Sequence, residues 1–398
     1  MPQVKPEMEA FAKIKVVGVG GSGGSAINRM MATKIRGVDF IAMNTDVQAL
    51  HYNSAPHKIH IGKSVTRGLG AGMDPEIGRR AAEESQNEIR EALKDTDMVF
   101  ITCGMGGGTG SGASSLVAQI AKEMGALTIA VVTKPFSWEG PQRCAIAEKA
   151  WEELAKNVDS IITIPNDRIL QVVEKKTGLL EAFKIADDVL RQGVQGISEL
   201  ITIPGLINVD FADVKAIMRD TGSALMGIGS STGENRAIEA ARGAISSPLL
   251  ELSIDGAHGI LFTITGGPDL AMSEVSEAAK IITSSAAPDA KIIFGAIIDE
   301  SMTGSMRISV VATGFDGRRP SSNREEESNA GFLGGKYVPS NFLRKTQKEE
   351  EEKEKMFKTI VQKSPVTPVA TPDKNKTPVQ TPEEELEIPT FIRRKMGL

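Results

Sequence analysis

The sequence predicts an α/β protein: an N-terminal domain built on a parallel sheet, a long central helix, a second and smaller α/β domain, and a disordered C-terminal tail. Three observations carry this. Two apolar strand-length runs, Ile14–Gly20 and Met98–Cys103, each lead into a glycine-rich loop and then a helical pattern, the unit from which parallel sheets are built. Strand and helix patterns keep alternating as far as residue 316. At Gly317 the composition breaks into charged, serine- and proline-rich chain.

A chain of 398 residues buries a large core and suits two domains. The 40 glycines and the 4% aromatic content fit tight strand–helix turns. A net charge of −5 carries no nucleic-acid footprint. The two cysteines, Cys103 and Cys144, make no disulfide framework, and no metal-type Cys/His spacing occurs, which fits a reducing cytoplasm. Met1–Lys13 lacks a signal-peptide core, and no apolar run approaches transmembrane length. Any attachment to a membrane is therefore expected through another protein, without direct insertion.

In chain order, Gly18, Gly20 and Gly23 satisfy the dinucleotide fingerprint G-x-G-x-x-G, with a helix expected over Ala26–Thr33. Asp39 and Asp46 follow at the distance of a ribose-binding acid. Alone, this Rossmann-like start argues for an NAD-dependent oxidoreductase. Against it, the histidines His51, His57, His60 and His258 form no catalytic acid–base set. Val38–Met43 is a second strand ending in Asn44-Thr45-Asp46, which is either ordinary turn chemistry or a ligand edge. Gly68–Gly72 is a third glycine loop, read as a lid or contact loop near phosphates, and Pro75 opens a helix expected to run to about Leu93.

The stretch Gly104–Gly112 holds six glycines in nine residues between a strand and a helix that continues from Ala113. So much backbone entropy is a poor bargain for a plain turn. It suits backbone N–H groups and a helix dipole offered to a phosphate. No lysine follows, so this is not a Walker A loop, and Gly62-Lys63-Ser64 is a decoy because His57 replaces the first glycine. Two glycine loops suit a nucleotide held from two sides.

Leu127–Thr133 and Ser160–Pro165 are further strands. Glu139 and Arg143 sit four apart at a helix start, on local grounds a surface pair worth ~0.3–0.5 kcal/mol. Asn166 is either a helix N-cap or a carboxamide able to read a purine edge. The long helix over Gly178–Thr202 carries Phe183 and Asp187 one turn apart, with Phe183 on its own a core residue. Asp210 and Asp213 precede a helix over Val214–Arg219 as an N-cap and a first-turn acid. Strands follow at Ser223–Gly229, Gly259–Gly266, Ala290–Ile298 and Met306–Thr313, and helices near Glu234–Ala244 and Leu270–Thr283, with His258 structural. In the tail, five Ser/Thr-Pro pairs between Ser364 and Pro382 predict a disordered spacer, after which Glu387–Lys395 restores apolar residues as a partner-binding peptide does.

Gly106–Gly112 matches the tubulin signature loop Gly-Gly-Gly-Thr-Gly-Ser-Gly, and the chain resembles the tubulin/FtsZ family over roughly residues 10–316 and its extreme C-terminus. The resemblance implies GTP or GDP held by Gly21, Ser22, Gly23, Gly24 and Ser25 on one side and Gly108, Thr109 and Gly110 on the other. It implies Glu139 on the ribose, Arg143 near the phosphates, and Asn166, Phe183 and Asp187 on guanine. Mg²⁺ is expected mainly on phosphate oxygens, with no dedicated protein metal site. Asn208, Asp210 and Asp213 match a loop that enters the next subunit's pocket, where the two carboxylates polarise the attacking water. Ile388, Pro389, Phe391, Ile392 and Arg393 match a tail peptide that binds membrane-adaptor and regulatory division proteins. The implied protein is an assembly-dependent GTPase. It forms head-to-tail filaments of the division ring at midcell, on the inner face of the membrane. The implied layout is a flexible N-terminus (1–12), a GTP-binding domain (13–177), the central helix (178–202), the acidic loop with its helix (203–222), a C-terminal α/β domain (223–316), a linker (317–385) and the peptide (386–398). A nucleotide-regulated scaffold without turnover is the third alternative.

Overall fold

A computed structural model describes residues 12–35, 37–172, 178–203, 205–247 and 253–315. The tail residues Ile388, Pro389, Phe391, Ile392 and Arg393, and the linker before them, lie outside the described residues.

The N-terminal half alternates strand and helix. It begins β1 (Ile14–Val19), α1 (Gly20–Ala32), β2 (Val38–Asn44), α2 (Val47–His51), β3 (His57–His60) and α3 (Lys63–Thr66). It continues α4 (Pro75–Glu84), α5 (Gln86–Ala92), β4 (Met98–Gly104), α6 (Gly108–Glu123), β5 (Leu127–Lys134), α7 (Pro141–Ala155), β6 (Ser160–Pro165) and α8 (Asn166–Val172). The long helix α9 (Leu179–Thr202) and the short α10 (Phe211–Met218) lead to β7 (Gly222–Thr232), α11 (Arg236–Ile245), β8 (Ala257–Gly266), α12 (Met272–Thr283), β9 (Ala286–Ile298) and β10 (Ser305–Thr313).

The strands form one sheet in the order β3-β2-β1-β4-β5-β6-β7-β10-β8-β9. From β3 to β6 every pairing is parallel, the arrangement the two strand–glycine–helix units required. Beyond β6 the sheet is mixed: β10 runs antiparallel to both β7 and β8, and β9 parallel to β8. The two halves meet through three residue pairs, Ser160 with Gly222, Ile161 with Ser223 and Ile162 with Ala224. Central strands such as Met98–Cys103 are buried on both faces, which is why they read as unbroken apolar runs instead of alternating.

One core fills the face beneath α1, α9 and α10, and it runs from Val16 and Met98 in the first half to Met226, Leu261 and Val311 in the second. A second lies on the opposite face beneath α4 to α7, and a third beneath α11 and α12. On α9, Ala182, Ala186, Val189, Leu190, Val194, Ile197 and Leu200 form the buried stripe. Asp188, Arg191, Gln195 and Glu199 line its polar side in a hydrogen-bonded ladder. The second half carries a buried clamp of its own. Arg236, 5% exposed, reaches Asp269 at 2.6 Å and Glu274 at 2.7 Å, and their carboxylates hold its guanidinium even more firmly protonated than usual.

Three of the expected helices differ from the sequence reading for physical reasons. The helices after the glycine loops start earlier than expected, α1 at Gly20 instead of Ala26 and α6 at Gly108 instead of Ala113. The glycines permit close approach here: a Cβ on Gly23 would stand 2.5 Å from the Thr102 carbonyl oxygen, and one on Gly20 would stand 2.9 Å from the Gly110 nitrogen. The helix expected from Pro75 to Leu93 is broken at Ser85, whose Oγ accepts from the Gly62 N–H at 3.1 Å. The decoy Lys63 is engaged with Glu88 at 2.8 Å.

Candidate functional site

The carboxyl ends of β1, β2, β4, β5 and β6 share one edge of the sheet, and the chain leaves each there through polar or glycine-rich residues. The first turns of α1 and α6 begin at this edge, so two helix amino ends with free backbone N–H groups face the same space. Gly21, Ser22 and Ser25 are exposed and Gly24 half-buried there, while Gly23, Gly108, Thr109 and Gly110 are buried by the close packing. Ser22 Oγ accepts from the Gly104 N–H at 2.9 Å, tying the first loop to the strand that feeds the second. With one of its two lone pairs so used, the hydroxyl still has its proton to donate. Thr109 Oγ1 lies 2.7 Å from Thr45 Oγ1, which fixes the signature loop to the end of β2, and Gly106 N–H donates to Ser111 Oγ at 2.9 Å. These side chains hold the backbone in a shape ready for an anion.

Further along the edge, Glu139 does make the local pair with Arg143, at 3.0 Å, and its other oxygen accepts from the Phe136 N–H at 2.9 Å. Arg143 packs over the signature loop: a Cβ on Gly106, whose φ is +93°, would meet Arg143 Cγ at 2.8 Å. Arg143 Nε is buried without a partner. Asn166 starts α8 and is 7% exposed, and its Oδ1 is likewise buried without a partner. Buried orphan groups of this kind are costly unless something arrives to meet them. Asp167, next in the chain, accepts from the Ser137 N–H at 3.0 Å and from the Ser137 hydroxyl, joining the β5 exit to the β6 exit.

Phe183 is 39% exposed, too open for the core reading, and meets Phe136 edge-on at 5.7 Å. Phe136 in turn stacks on Trp138 at 5.3 Å. One turn beyond Phe183, burial pushes the Asp187 carboxyl up to about 6, against the pull of the Arg29 guanidinium on α1. Arg29 and the Phe136–Trp138 pair were not singled out in the sequence, whereas Thr45 was read there as part of Asn44-Thr45-Asp46, turn chemistry or a ligand edge. An exposed Trp138 within Lys134–Glu139 was a legible signal, whereas the nearness of Arg29 to Asp187 is purely tertiary.

Asn208, Asp210 and Asp213 are not in this cluster. All three are exposed, in the segment after α9. Asn208 Oδ1 accepts from the Gly205 N–H, and Asp210 caps α10 by accepting from the Ala212 N–H at 3.4 Å. The helix α9 starts beside the β5 exit at Phe183, and its last residue, Thr202, packs on Gly37 just ahead of β2, at the opposite edge of the sheet. Nineteen residues of helix separate the two, a rise of about 28 Å. The same geometry disposes of the dinucleotide reading. Asp39 is the second residue of β2, far from its carboxyl end, and Asp46 is occupied capping α2 through Gln48 and Ala49. His258 is partly exposed and lies 3.2 Å from Asp289, away from this edge.

A model of the Tubulin/FtsZ family GTPase domain matches residues 13–174, and one of the FtsZ family C-terminal domain matches residues 222–316. An FtsZ dimer from M. jannaschii is 48% identical, with a TM-score of 0.75 over 78% of this chain and 90% of that one. The chain belongs to the FtsZ family. Another M. jannaschii FtsZ structure agrees at 49% identity, covering 76% of this chain and 91% of that one at a TM-score of 0.74. CetZ2 from Haloferax volcanii, solved as a GTPγS-bound protofilament, is 21% identical with a TM-score of 0.65 over 75% of this chain and 92% of that one, and shows the shared fold. The FtsZ-family assignment makes residues 13–174 a GTP-binding, GTPase-family domain and links the chain to cell division. No helix among the described residues is long and apolar enough to cross a membrane.

Proposed function

We propose that this FtsZ-family chain binds GTP at the strand edge described above and hydrolyses it only after subunits stack head to tail, so that one subunit's Asp210 and Asp213 reach the next one's nucleotide. The observation that supports this most directly is the separation of the acids from the phosphate loops along α9. A chain whose own carboxylates lie about 28 Å of helix away has no cis water-activating acid of this kind. Further support comes from exposed apolar residues near both ends: Leu69 is 86% and Tyr52 82% exposed near the nucleotide edge, and Leu206 is 72% exposed in the acidic segment. The relatives solved as a dimer and as a protofilament fit the same reading.

In this reading Gly21, Ser22, Gly23, Gly24, Ser25, Gly108, Thr109 and Gly110 cradle the phosphates, Arg143 forks a phosphate oxygen, and Glu139 accepts from the ribose hydroxyls. Asn166 Oδ1 gains its missing donor from guanine, Phe183 stacks on the base, and Asp187 accepts from N1–H and N2–H₂. Asn208 shapes the acidic loop, while Asp210 and Asp213 orient and polarise the attacking water. Mg²⁺ would sit mainly on the phosphate oxygens and neutralise their charge, as an ion that keeps its waters and takes few protein ligands does. Filaments built this way would form the division ring at midcell on the cytoplasmic side of the membrane.

The test is phosphate release against protein concentration. Specific activity should rise steeply with concentration, as a shared active site demands. A flat specific activity across the range in which sedimentation detects assembly would overturn the reading. The tail is proposed to act separately: Ile388, Pro389, Phe391, Ile392 and Arg393 bind a membrane adaptor across the linker. Deleting Glu387–Leu398 should abolish adaptor binding and leave GTP turnover and sedimentation within about twofold of the full chain, because a long polar linker decouples its two ends. A large fall in polymerisation would count against it.

A further inference from the structure

The acid-bearing helix α10 is anchored at its other end by a charge cluster that the GTPase reading does not use. Lys122, in the last turn of α6, places Nζ 2.9 Å from Asp220 Oδ1, 3.5 Å from Asp159 Oδ1 and 3.4 Å from the Val158 carbonyl oxygen. Asp220 lies two residues past the end of α10 in left-handed backbone, with φ +51°. Asp159 is 4% exposed and lies at the seam between the two halves of the sheet: its Oδ2 accepts from the Thr128 N–H, and its carbonyl accepts from the Thr221 and Gly222 N–H groups. Lys122 holds the Asp220 carboxyl below its usual range, and Arg219 stands further off at 3.8 Å.

We propose that Lys122 is a positioning residue for catalysis in trans: by clamping Asp220 to the Asp159 seam it fixes the direction of α10, and thereby the place of Asp210 and Asp213 in the neighbouring pocket. This rests on the head-to-tail reading above. The helix α10 has only eight residues, so its exposed amino end is a short lever about 10 Å from Met218, two residues before Asp220. Val214, Ile217 and Met218 bury one side of it, and Thr313 Oγ1 donates to the Ile217 carbonyl at 3.1 Å. Val209 is buried and Phe211 packs on the same core at the amino end, and the polar cluster adds a tether at the carboxyl end. Because α6 begins at the phosphate loop and ends at Lys122, the same rod that cradles one nucleotide holds the acids offered to another.

Lys122→Met keeps the apolar stem and removes the charge, and Asp220→Ala releases α10 while the Lys122–Asp159 contact remains. In both variants GTP affinity and co-sedimentation should match the unmodified protein, whereas turnover falls by on the order of 10- to 10²-fold, the cost of misplaced reacting groups. Lys122→Arg should recover most of it. Mixing gives the decisive result, because these variants keep a good pocket and misplace their acids. Mixed with Gly108→Ser, whose pocket is spoiled but whose acids are sound, Lys122→Met should regain turnover. Mixed with Asp213→Ala, which also lacks sound acids, it should not. Equal behaviour toward both partners, or undiminished turnover of Lys122→Met alone, overturns the assignment of Lys122. If Asp213→Ala and Gly108→Ser co-sediment yet give no recovery together, catalysis in trans fails and this proposal falls with it. Asp187→Ala replaces Gly108→Ser as the poor-pocket partner if that variant does not fold.

Discussion

Asp213→Ala should bind GTP as tightly as the unmodified chain and lose turnover by on the order of 10²- to 10⁴-fold, the usual contribution of a group that positions and activates the attacking water. Binding is spared because Asp213 is exposed at the far end of α9 from its own pocket. Its filaments should still form and should outlast those of the unmodified protein, on the added proposal that hydrolysis weakens the contacts between subunits. The mixing test separates cis from trans. Gly108→Ser spoils its own pocket, because a Cβ at that position would stand 2.8 Å from the Asp74 nitrogen and 3.0 Å from the Ala71 carbonyl oxygen. In mixed filaments some junctions pair a sound pocket with a sound Asp213, so activity should return above the sum of the two variants. Co-sedimentation without such recovery would show that the acids act elsewhere.

The second large effect concerns the base. Asp187 should make the pocket select guanine over adenine, because adenine offers no N1–H and leaves carboxylate oxygens desolvated without donors. Asp187→Ala should weaken GDP binding by on the order of 10²-fold, as loss of hydrogen bonds to a charged acceptor does. Equal affinity of the unmodified protein for ATP and GTP in a titration would contradict the assignment. A pH signature belongs to the same residue. Burial raises its carboxyl to about 6, so the empty folded protein holds this proton more tightly than the unfolded chain does. Stability of the nucleotide-free protein should therefore fall as pH rises from about 4 to about 6, and stay lowered at pH 7. Asp187→Asn should remove that dependence and raise nucleotide-free stability at pH 7 by on the order of 1 kcal/mol, discounted for the solvent that still reaches the group. GDP affinity should behave oppositely, declining as pH drops below about 6, since only the ionised carboxylate accepts both guanine donors. An unchanged GDP affinity between pH 7 and pH 5 would count against Asp187 as the guanine acceptor.

Much of this protein is written locally. The run Met98–Cys103 is a strand in the middle of a parallel sheet because both its faces are apolar. The glycines from Gly104 to Gly112 announce an anion loop because few other functions repay their entropy. The N-cap at Asp210 and the i,i+4 pair of Glu139 with Arg143 form as short-range chemistry dictates, whatever larger role they serve.

What the sequence left open depends on groups far apart in the chain. No local pattern places Gly110 against Gly20, so the early starts of α1 and α6 appear only once the two helix ends pack together. Phe183 has the spacing of a core residue, yet it stays 39% exposed and meets Phe136, more than 40 residues away in sequence, edge-on. The raised Asp187 carboxyl and the buried, partnerless Asn166 Oδ1 are properties of an enclosure built by several strand exits, not of either residue type. The amino acids alone determined an α/β chain with two glycine loops, a long helix and an acidic segment after it. Tertiary structure decided that α9 runs from one edge of the sheet to the other, which puts the acids a full helix length from the nucleotide edge. A helix carries no record in its own sequence of what stands at its two ends, and only packing sets that direction.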